Sequence, residues 1–283
     1  MSQTLPELWN KQDEWKESVS SKLRHLLDTP QTRNLDRCGR EQMFRHCKGC
    51  DQVRTFEYHC DLKFCPRCNH RITARRLIVL RAWAEKIEQP KHLVLTQRNF
   101  EVLTRRQIRE HTRALSRIRR TKIFQRVRGG CVSVEITNEG RGWHLHSHWL
   151  LDVNYLDAAR VAVEWAKQIG QDDAAIVKIK DVRAGNYVAE VAKYVVEGSS
   201  IAAWRPEHVV EFVLAIRGQR FFFQFGSLFK EARAIRAKLN QSRPVSICEC
   251  GCEDFVWKDQ TTETVSEICN RHKMKPTFAP RLS

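Results

Sequence analysis

Three histidines alternate along one short segment of the chain, WHLHSHWLLD, at residues 143–152. Successive side chains of a β-strand point to opposite faces of a sheet, so His144, His146 and His148 project from one face. Glu135 precedes them in GGCVSVEIT, which alternates as a neighbouring strand would. Two imidazoles and a carboxylate on one face predict a divalent-cation site with Glu135, His146 and His148 as ligands. The alternative is a set of histidines that serve only as surface hydrogen-bonding groups.

A cation held in this way keeps coordination positions open for a phosphate oxygen. It would polarise a phosphodiester and stabilise the charge that develops during cleavage. Phosphate chemistry favours Mg²⁺ or Mn²⁺ as the catalytic cofactor, and the imidazoles make manganese the easier ion to bind in vitro.

A second group of chemically capable residues lies in AGNYVAEVAKYVVEG, which has helical periodicity over 184–198. Glu190 and Tyr194 are four residues apart and share a face of this helix, while Tyr187 and Lys193 fall on the adjoining arc. A tyrosine hydroxyl can attack phosphorus and hold a covalent intermediate. Glu190 could then activate a water or a hydroxyl, and Lys193 could neutralise phosphate charge. The alternative is a core helix whose tyrosines pack under the sheet.

The chain has 11 cysteines, most of them near its two ends. Two Cys-x-x-Cys pairs, Cys47/Cys50 and Cys65/Cys68, have a separation typical of a zinc ribbon, with free thiols as the alternative. Nearby residues that could replace one of these ligands or serve a second ion are Cys38, Cys60, His46, His59 and His70. A C-terminal zinc site is predicted from Cys248, Cys250, Cys252, Cys269 and His272. We expect both Zn²⁺ sites to be structural, and Cys131 to be a small buried hydrophobic residue.

Periodicity predicts the elements that would position these groups. Helices are predicted at 71–89, 101–124, 155–169, 184–198, 206–217 and 227–239, and residues 1–35 form a helix or a loose arm. Strands are predicted at 91–97, 129–137, 143–152 and 174–182, with a turn at 138–142 that makes the middle two a hairpin. This order predicts an α+β fold with an antiparallel-centred sheet and helices on one face.

The formal net charge of +16 at pH 7 indicates a polyanionic partner, because neutralised phosphates release counterions. The densest basic tract falls in the predicted helix 101–124, and we interpret it as a phosphate-contacting face rather than a solvated one. It consists of Arg105, Arg106, Arg109, Arg113, Arg117, Arg119 and Arg120. The N-terminal segment lacks the apolar core of a signal peptide, and no apolar run is long enough to cross a membrane. We therefore expect an intracellular protein with no membrane partner.

Three blocks together resemble the HUH endonucleases, in particular the single-tyrosine rolling-circle replication initiators of small plasmids. HLVLT (92–96) is similar to the family's opening strand, and SVEITNEGRGWHLHSHWLLD (133–152) to its Glu-x-Thr strand followed by its His-x-His-x-His strand. EVAKY (190–194) resembles the Glu-x-x-Lys-Tyr motif of that branch, as does the later segment GQRFFFQFGSLFKEA (218–232). CDLKFCPRCNHR (60–71) resembles the zinc segment that precedes the nuclease domain in this family. The order and spacing of these motifs match the family over about 38–232.

The resemblance implies that Tyr194 nicks the plus strand of an origin and stays on the 5′ phosphate, while the free 3′ hydroxyl primes synthesis. Glu190 would direct a water at termination, when the strand is joined. Two departures leave alternatives open. Ser147 replaces a bulky hydrophobic residue, so His144 and His146 are an alternative metal-binding pair. Tyr187 would give a two-tyrosine enzyme, as in rolling-circle transposases.

The implied organisation is an HUH nuclease domain, its antiparallel-centred sheet flanked by helices, with zinc-binding modules at both ends. The predicted units are an arm or helix (1–37), a zinc-ribbon-like module and helix (38–89), the nuclease domain with C-terminal helices (90–240) and a Cys/His zinc module (241–283). Expected partners are single-stranded and origin DNA, host helicase and host polymerase, in the cytoplasm of a bacterial or archaeal cell. The alternatives are an HUH rolling-circle transposase and a non-catalytic zinc-ribbon DNA-binding protein.

Overall fold

A computed structural model describes residues 5–26, 30–87, 89–172, 175–182, 191, 198–241, 248, 250–252 and 255–258 of the protein. Its helices are α1 (Leu5–Leu26), α2 (Pro30–Arg37), α3 (Pro66–Ala84), α4 (Arg105–Ile118), α5 (Ala158–Ile169), α6 (Gly198–Ala203), α7 (Pro206–Ile216) and α8 (Gly226–Gln241). Its strands are β1 (Gln42–Cys47), β2 (Val53–Glu57), β3 (Pro90–Thr96), β4 (Gly129–Asn138), β5 (Trp143–Asp152), β6 (Val177–Asp181), β7 (Phe222–Phe225) and β8 (Phe255–Lys258). The α+β class is therefore confirmed.

The larger sheet has five antiparallel strands in the order β6–β3–β5–β4–β7. Its centre is the predicted β4–β5 hairpin, whose turn uses Gly140 and Gly142 at φ values of 87° and 88°. Glycine adopts such angles without the steric cost of a Cβ atom. The hairpin register places Glu135 opposite His146 and Ser133 opposite His148. This register fixes which side chains share a face with the alternating histidines.

Helices cover both faces of this sheet, so the expectation of helices on one face is wrong. On the first face, which we call the closed face, Leu145 and Trp149 belong to an apolar cluster with residues of α4, α5 and α7. On the opposite face, Leu150 and Cys131 belong to a second cluster with residues of α3 and α8. The cause is the consecutive buried run at residues 149–151, which requires cover on both sides. This second face also carries His144, His146 and His148, and we call it the histidine face.

The N-terminal segment packs as helices against the main body. In α1, Trp15, Val19 and Leu23 are buried in the cluster that covers the closed face. Lys16 Nζ donates to the Cys38 carbonyl at 2.6 Å, and Lys22 Nζ donates to the Trp204 carbonyl at 2.9 Å. The sequence predicts a helix or a loose arm for residues 1–35, and the described part of this segment is helical.

A second, smaller sheet joins distant parts of the sequence. Its order is β2–β1–β8, and both pairings are antiparallel. Cys47 at the end of β1 lies opposite Phe255 at the start of β8. This pairing brings Cys248 and Cys250 beside the first Cys-x-x-Cys pair. Among the described residues, no helix has the length and apolar character needed to traverse a lipid bilayer.

One core histidine, His111 of α4, is buried without a hydrogen-bond partner for either ring nitrogen among the described residues. Its ring meets Trp165 edge-on, with centroids 5.6 Å apart. Burial, together with the nearby His146 and His144, lowers the pKa of His111 to about 3. The imidazole is therefore neutral in the folded protein at physiological pH.

We expect His111 to make the fold less stable in mild acid. The unfolded chain binds a proton at this residue near pH 6.5, whereas the folded protein does so only near pH 3. Its contribution is thus fully present above pH 6.5 and declines by at most about 1.4 kcal/mol per pH unit below it. His111→Phe keeps the edge contact with Trp165. Its free energy of unfolding, measured in urea, should increase relative to that of wild type as the pH falls from about 7.5 to about 5.5. Parallel pH profiles for the two proteins would contradict a neutral buried imidazole.

Candidate metal centre

Glu135, His146 and His148 converge on the histidine face, as their spacing predicts. His146 Nε2 lies 2.6 Å from Glu135 Oε2, and His148 Nε2 lies 3.1 Å from the same oxygen. One ligand atom from each residue lies within 4.8 Å of the other two. All three side chains are partly exposed, so an ion bound here would remain reachable from solvent. The three residues could hold one metal ion.

The charges at this site suit a cation. Burial opposes ionisation of Glu135, but hydrogen bonds with His146 and His148 outweigh it and lower the pKa of the carboxyl group to about 2. The carboxylate is therefore ionised at neutral pH. It supplies one negative charge between two imidazoles, a donor set that could hold a divalent cation.

His144 shares the face but not the cluster. Its ring centroid is 5.0 Å from that of His146, and its partner across the hairpin is Thr137 rather than a carboxylate. It lines a cavity of about 350 Å³ together with Gln97, Arg98 and other residues that follow β3. Burial lowers the pKa of His144, as does the neighbouring His146. The structure therefore brings the pair His146 and His148, not the alternative pair His144 and His146, onto Glu135.

A further histidine supports the site and was missed by the sequence analysis. His92 in β3 is buried, and its Nε2 lies 3.3 Å from Nδ1 of His148. The two rings are stacked, with centroids 5.5 Å apart and planes 8° apart. A partner on the second ring nitrogen of a ligand fixes its orientation and tautomer. The available signal was that His92 begins HLVLT, the strand predicted to lie in this sheet.

The tyrosine segment lies almost entirely outside the described residues. Tyr187, Glu190, Lys193 and Tyr194 are all in that undescribed part. Val191 is described: it is fully buried and belongs to the apolar cluster of Leu150 and α3. Leu150 is two residues from His148 on the same face of β5. The described residue of this segment therefore lies on the histidine face.

Four cysteines form a first cluster inside the main body. Cys38 Sγ lies 3.6 Å from Cys65 Sγ and 3.5 Å from Cys68 Sγ, and Cys60 Sγ lies 3.6 Å from Cys68 Sγ. The hydrogen bonds from Cys60, Cys65 and Cys68 lower the pKa of the Cys38 thiol. Four sulfur ligands that come together in this way are the donor set of a structural metal site.

A second cluster combines residues from both ends of the chain. Cys50 Sγ lies 3.3 Å from Cys248 Sγ, and Cys47 Sγ lies 3.6 Å from Cys250 Sγ. Among the described residues, Cys47 and Cys50 therefore lie with Cys248 and Cys250, whereas Cys65 and Cys68 lie with Cys38 and Cys60. The physical reason is the pairing of β1 with β8, which places one knuckle from each end together.

The remaining predicted cysteine and histidine ligands are distributed as follows. Cys252 lies beside the second cluster, since a Cβ atom built on Gly49 would meet its Sγ at 3.2 Å and that of Cys250 at 3.5 Å. Cys269 and His272 lie outside the described residues. Cys131 is fully buried in the second apolar cluster, as predicted, and burial raises the pKa of its thiol to about 12. None of the ten described cysteines forms a disulfide bond.

The predicted arginine tract lies along α4 and just after it, over the closed face. Arg106 forms an ion pair with Glu110 at 2.7 Å, and Arg117 Nε donates to Gln168 Oε1 at 2.9 Å. The guanidinium of Arg119 lies 4.8 Å from the centre of the Phe225 ring. The other members of the tract, Arg105, Arg109, Arg113 and Arg120, are exposed. Since α4 packs on the closed face, the tract and the metal centre are on opposite sides of the sheet.

Comparison with known proteins identifies the class as that of replication proteins. The sequence model of the Rep_1 family, described as "Replication protein", matches residues 53–275, which include the histidine strand and part of each cysteine cluster. No curated protein and no solved structure matches the chain. Because the match spans most of the sequence, the chain belongs to the Rep_1 family. Membership of this family makes it a plasmid replication initiator.

Proposed function

We propose that this initiator nicks single-stranded origin DNA by tyrosine transesterification, as the HUH endonucleases do. The observation that carries the proposal is the convergence of Glu135, His146 and His148 on an open sheet face. Alternate histidines of a central strand opposite a carboxylate match the HUH arrangement that the sequence resembles. The net charge of +16 suits a nucleic-acid substrate.

The proposed reaction assigns a step to each residue of the tyrosine segment. A Mg²⁺ or Mn²⁺ ion on the three ligands would polarise the scissile phosphodiester and stabilise its developing charge. The Tyr194 hydroxyl attacks phosphorus, the bond from phosphorus to the 3′ oxygen breaks, and the proton leaves with the 3′ hydroxyl. The DNA then stays joined to Tyr194 through its 5′ phosphate, with Lys193 offsetting phosphate charge. At termination Glu190 accepts a proton from the attacking group, the bond from phosphorus to Tyr194 breaks, and the tyrosine leaves as its hydroxyl. Attack by a 3′ hydroxyl joins the strand, whereas attack by water releases it with a 5′ phosphate.

Chain connectivity supports this role for Tyr194. Val191 belongs to the apolar cluster of Leu150, and Leu150 is two residues from His148 along β5. Tyr194 follows Val191 by three residues in the sequence, and three residues of chain span at most about 11 Å.

The test is covalent capture of DNA. The protein is incubated with Mn²⁺ and a panel of hairpin oligonucleotides with single-stranded loops, and the adduct is resolved on denaturing gels and mapped by mass spectrometry. We expect wild type and Tyr187→Phe to form a 5′-phosphotyrosine adduct, and Tyr194→Phe to lose it while keeping its affinity for the oligonucleotide. Removal of one hydroxyl leaves DNA contacts intact, so binding separates a chemical defect from a folding defect.

Other outcomes identify the competing functions. An adduct on Tyr187 that survives Tyr194→Phe would contradict the assignment of the nucleophile. A requirement for both tyrosines in strand transfer would indicate an HUH transposase. DNA binding by a folded protein that forms no adduct under any metal condition would indicate a zinc-ribbon DNA-binding protein without catalysis.

We also propose that each cysteine cluster holds one Zn²⁺ ion and that the exposed arginines of α4 contact DNA phosphates. The thiol sets Cys38/Cys60/Cys65/Cys68 and Cys47/Cys50/Cys248/Cys250 are the donor type that zinc prefers in structural sites. The arginine face lies across the sheet from the metal centre, which suits contacts to origin DNA away from the cleaved strand.

A further inference from the structure

A cavity of about 470 Å³ opens beside β7, between α3 and α8. Four cationic side chains line it: Lys63, Arg76, Arg220 and Arg236. Two aromatic residues, Phe221 and Phe222, also line the cavity. No carboxylate is among the described residues that line the cavity, so its charge is strongly positive. A volume in the range of about 300–1,000 Å³ is that of pockets for small ligands, and a single nucleotide is such a ligand.

Two cationic groups of this cavity, those of Arg76 and Lys63, are partly removed from water. The Arg76 guanidinium lies 4.4 Å from the centre of the Phe222 ring, and burial lowers its pKa to about 10. Burial also lowers the pKa of Lys63, and the charge of Arg76 lowers it further. Burying two like charges together costs free energy. A bound anion would offset that cost, which favours a phosphate ligand at this position.

The polar contacts within the cavity leave donors available. Lys63 Nζ donates to the Gln219 carbonyl, and Arg220 Nε donates to the Phe222 carbonyl at 2.8 Å. Arg236 donates to Gln224 Oε1 at 2.9 Å through one of its Nη atoms. A guanidinium has five N–H donors and an ammonium has three, so these contacts use only part of the set. The remaining donors can serve phosphate oxygens.

The cavity is a neighbour of the metal centre on the histidine face. Phe222 lies opposite Ser133 in the sheet, and Ser133 lies opposite His148. Adjacent strands are about 4.8 Å apart, so Phe222 and His148 are separated by about 10 Å along this row. One or two nucleotides of a single strand can cover that distance. A strand cleaved at the metal centre could therefore occupy the cavity at the same time.

We propose that this cavity binds a nucleotide of single-stranded DNA one or two positions from the cleaved bond, with its phosphate on Arg76, Arg220 and Lys63. The site extends the proposed nicking function and would hold the strand in register beside the metal centre. A concave cavity of nucleotide size with aromatic walls suits an unpaired strand, whereas a duplex would need an extended surface or a groove-reading element.

The test measures binding without cleavage. The full chain carries Tyr194→Phe, and its affinity for a fluorescent single-stranded oligonucleotide is measured by anisotropy at several salt concentrations. Arg76→Gln and Arg220→Gln should each weaken binding about tenfold and reduce the salt slope by roughly 0.7, the value for one phosphate of a single strand. Arg160→Gln, an exposed arginine of α5 over the closed face, is the matched control and should stay within about twofold of the parent.

Neutral methylphosphonates placed at one position at a time then locate the contact. One position should weaken binding to the parent protein and leave Arg76→Gln unaffected. The proposal fails if both variants match Arg160→Gln, if no position couples to Arg76, or if the variants lose duplex binding and keep single-strand binding. If the melting curve of Arg76→Gln shows that this variant is unfolded, Arg220→Gln still decides the test because Arg220 is exposed. Absence of a covalent adduct in the wild type, with these binding differences retained, would reject the nicking function and keep the site.

Discussion

We expect Glu135→Gln to lower the rate of the proposed metal-dependent nicking by about 10³-fold, because the substitution removes the charged ligand of the cation. The glutamine amide keeps the size of the side chain and can still contact His146 and His148, so the sheet should be preserved. The negative charge that favours a cation between the two imidazoles is lost. Mn²⁺ affinity, measured by electron paramagnetic resonance of the free ion, should fall in parallel and needs no DNA.

A graded series of histidine variants makes the test specific. His148→Ala should lose Mn²⁺ binding as Glu135→Gln does, since its Nε2 faces the carboxylate. His92→Ala removes only the partner of His148 Nδ1, and we expect it to weaken metal affinity by about 10- to 100-fold. His144→Ala should have the smallest effect of the series. Loss of the ion in His144→Ala with retention in His148→Ala would instead support the alternative pair.

Substitution of single cysteines should remove single zinc ions in a pattern that follows the two clusters. Wild-type protein is expected to carry two Zn²⁺ per chain by elemental analysis. Cys68→Ser and Cys248→Ser should each leave one, and Cys131→Ala, the buried cysteine outside both clusters, should keep both. Structural zinc contributes of the order of 10 kcal/mol to small zinc domains, so each loss should be readily visible in unfolding.

The two cysteine variants should differ in where the damage appears. Cys68→Ser affects a cluster buried with α1 and α7 in the main core, and we expect a lower melting temperature for the whole protein. Cys248→Ser affects the junction of β1 and β8, and we expect faster proteolysis there with the main core retained. If Cys50→Ser and Cys68→Ser removed the same ion and Cys248→Ser removed another, the grouping by sequence spacing would be right after all.

The elements around the metal centre were predictable because they depend on local pattern. Alternation over 129–137 and 143–152, with turn residues between them, predicted the hairpin, and the parity of Glu135 and His146 then predicted a shared face. Side-chain alternation has a period of two residues, so that inference needs no tertiary information. The long helices α3, α4 and α5 followed from periodicity in the same way.

The features that were missed all depend on contacts between distant segments. Short knuckle spacings predict metal-binding cysteines but do not predict which knuckles join, and Cys50 meets Cys248 only because β1 pairs with β8. β7 has only four residues, too few for a clear alternation. The partnership of His92 with His148 depends on the register between β3 and β5. The cover of the sheet on both sides depends on where α3 and α8 dock.

The junction of Cys47 and Cys50 with Cys248 and Cys250 has a consequence for biosynthesis. The first two thiols leave the ribosome long before their partners are made. At about 5–20 residues per second, the interval is of the order of 10–40 s. During that time the β1–β2 hairpin lacks both its third strand and half of its metal ligands, while the five-stranded sheet can already assemble. Completion of this small ribbon therefore requires translation past residue 258, and translation products interrupted before that point would lack it.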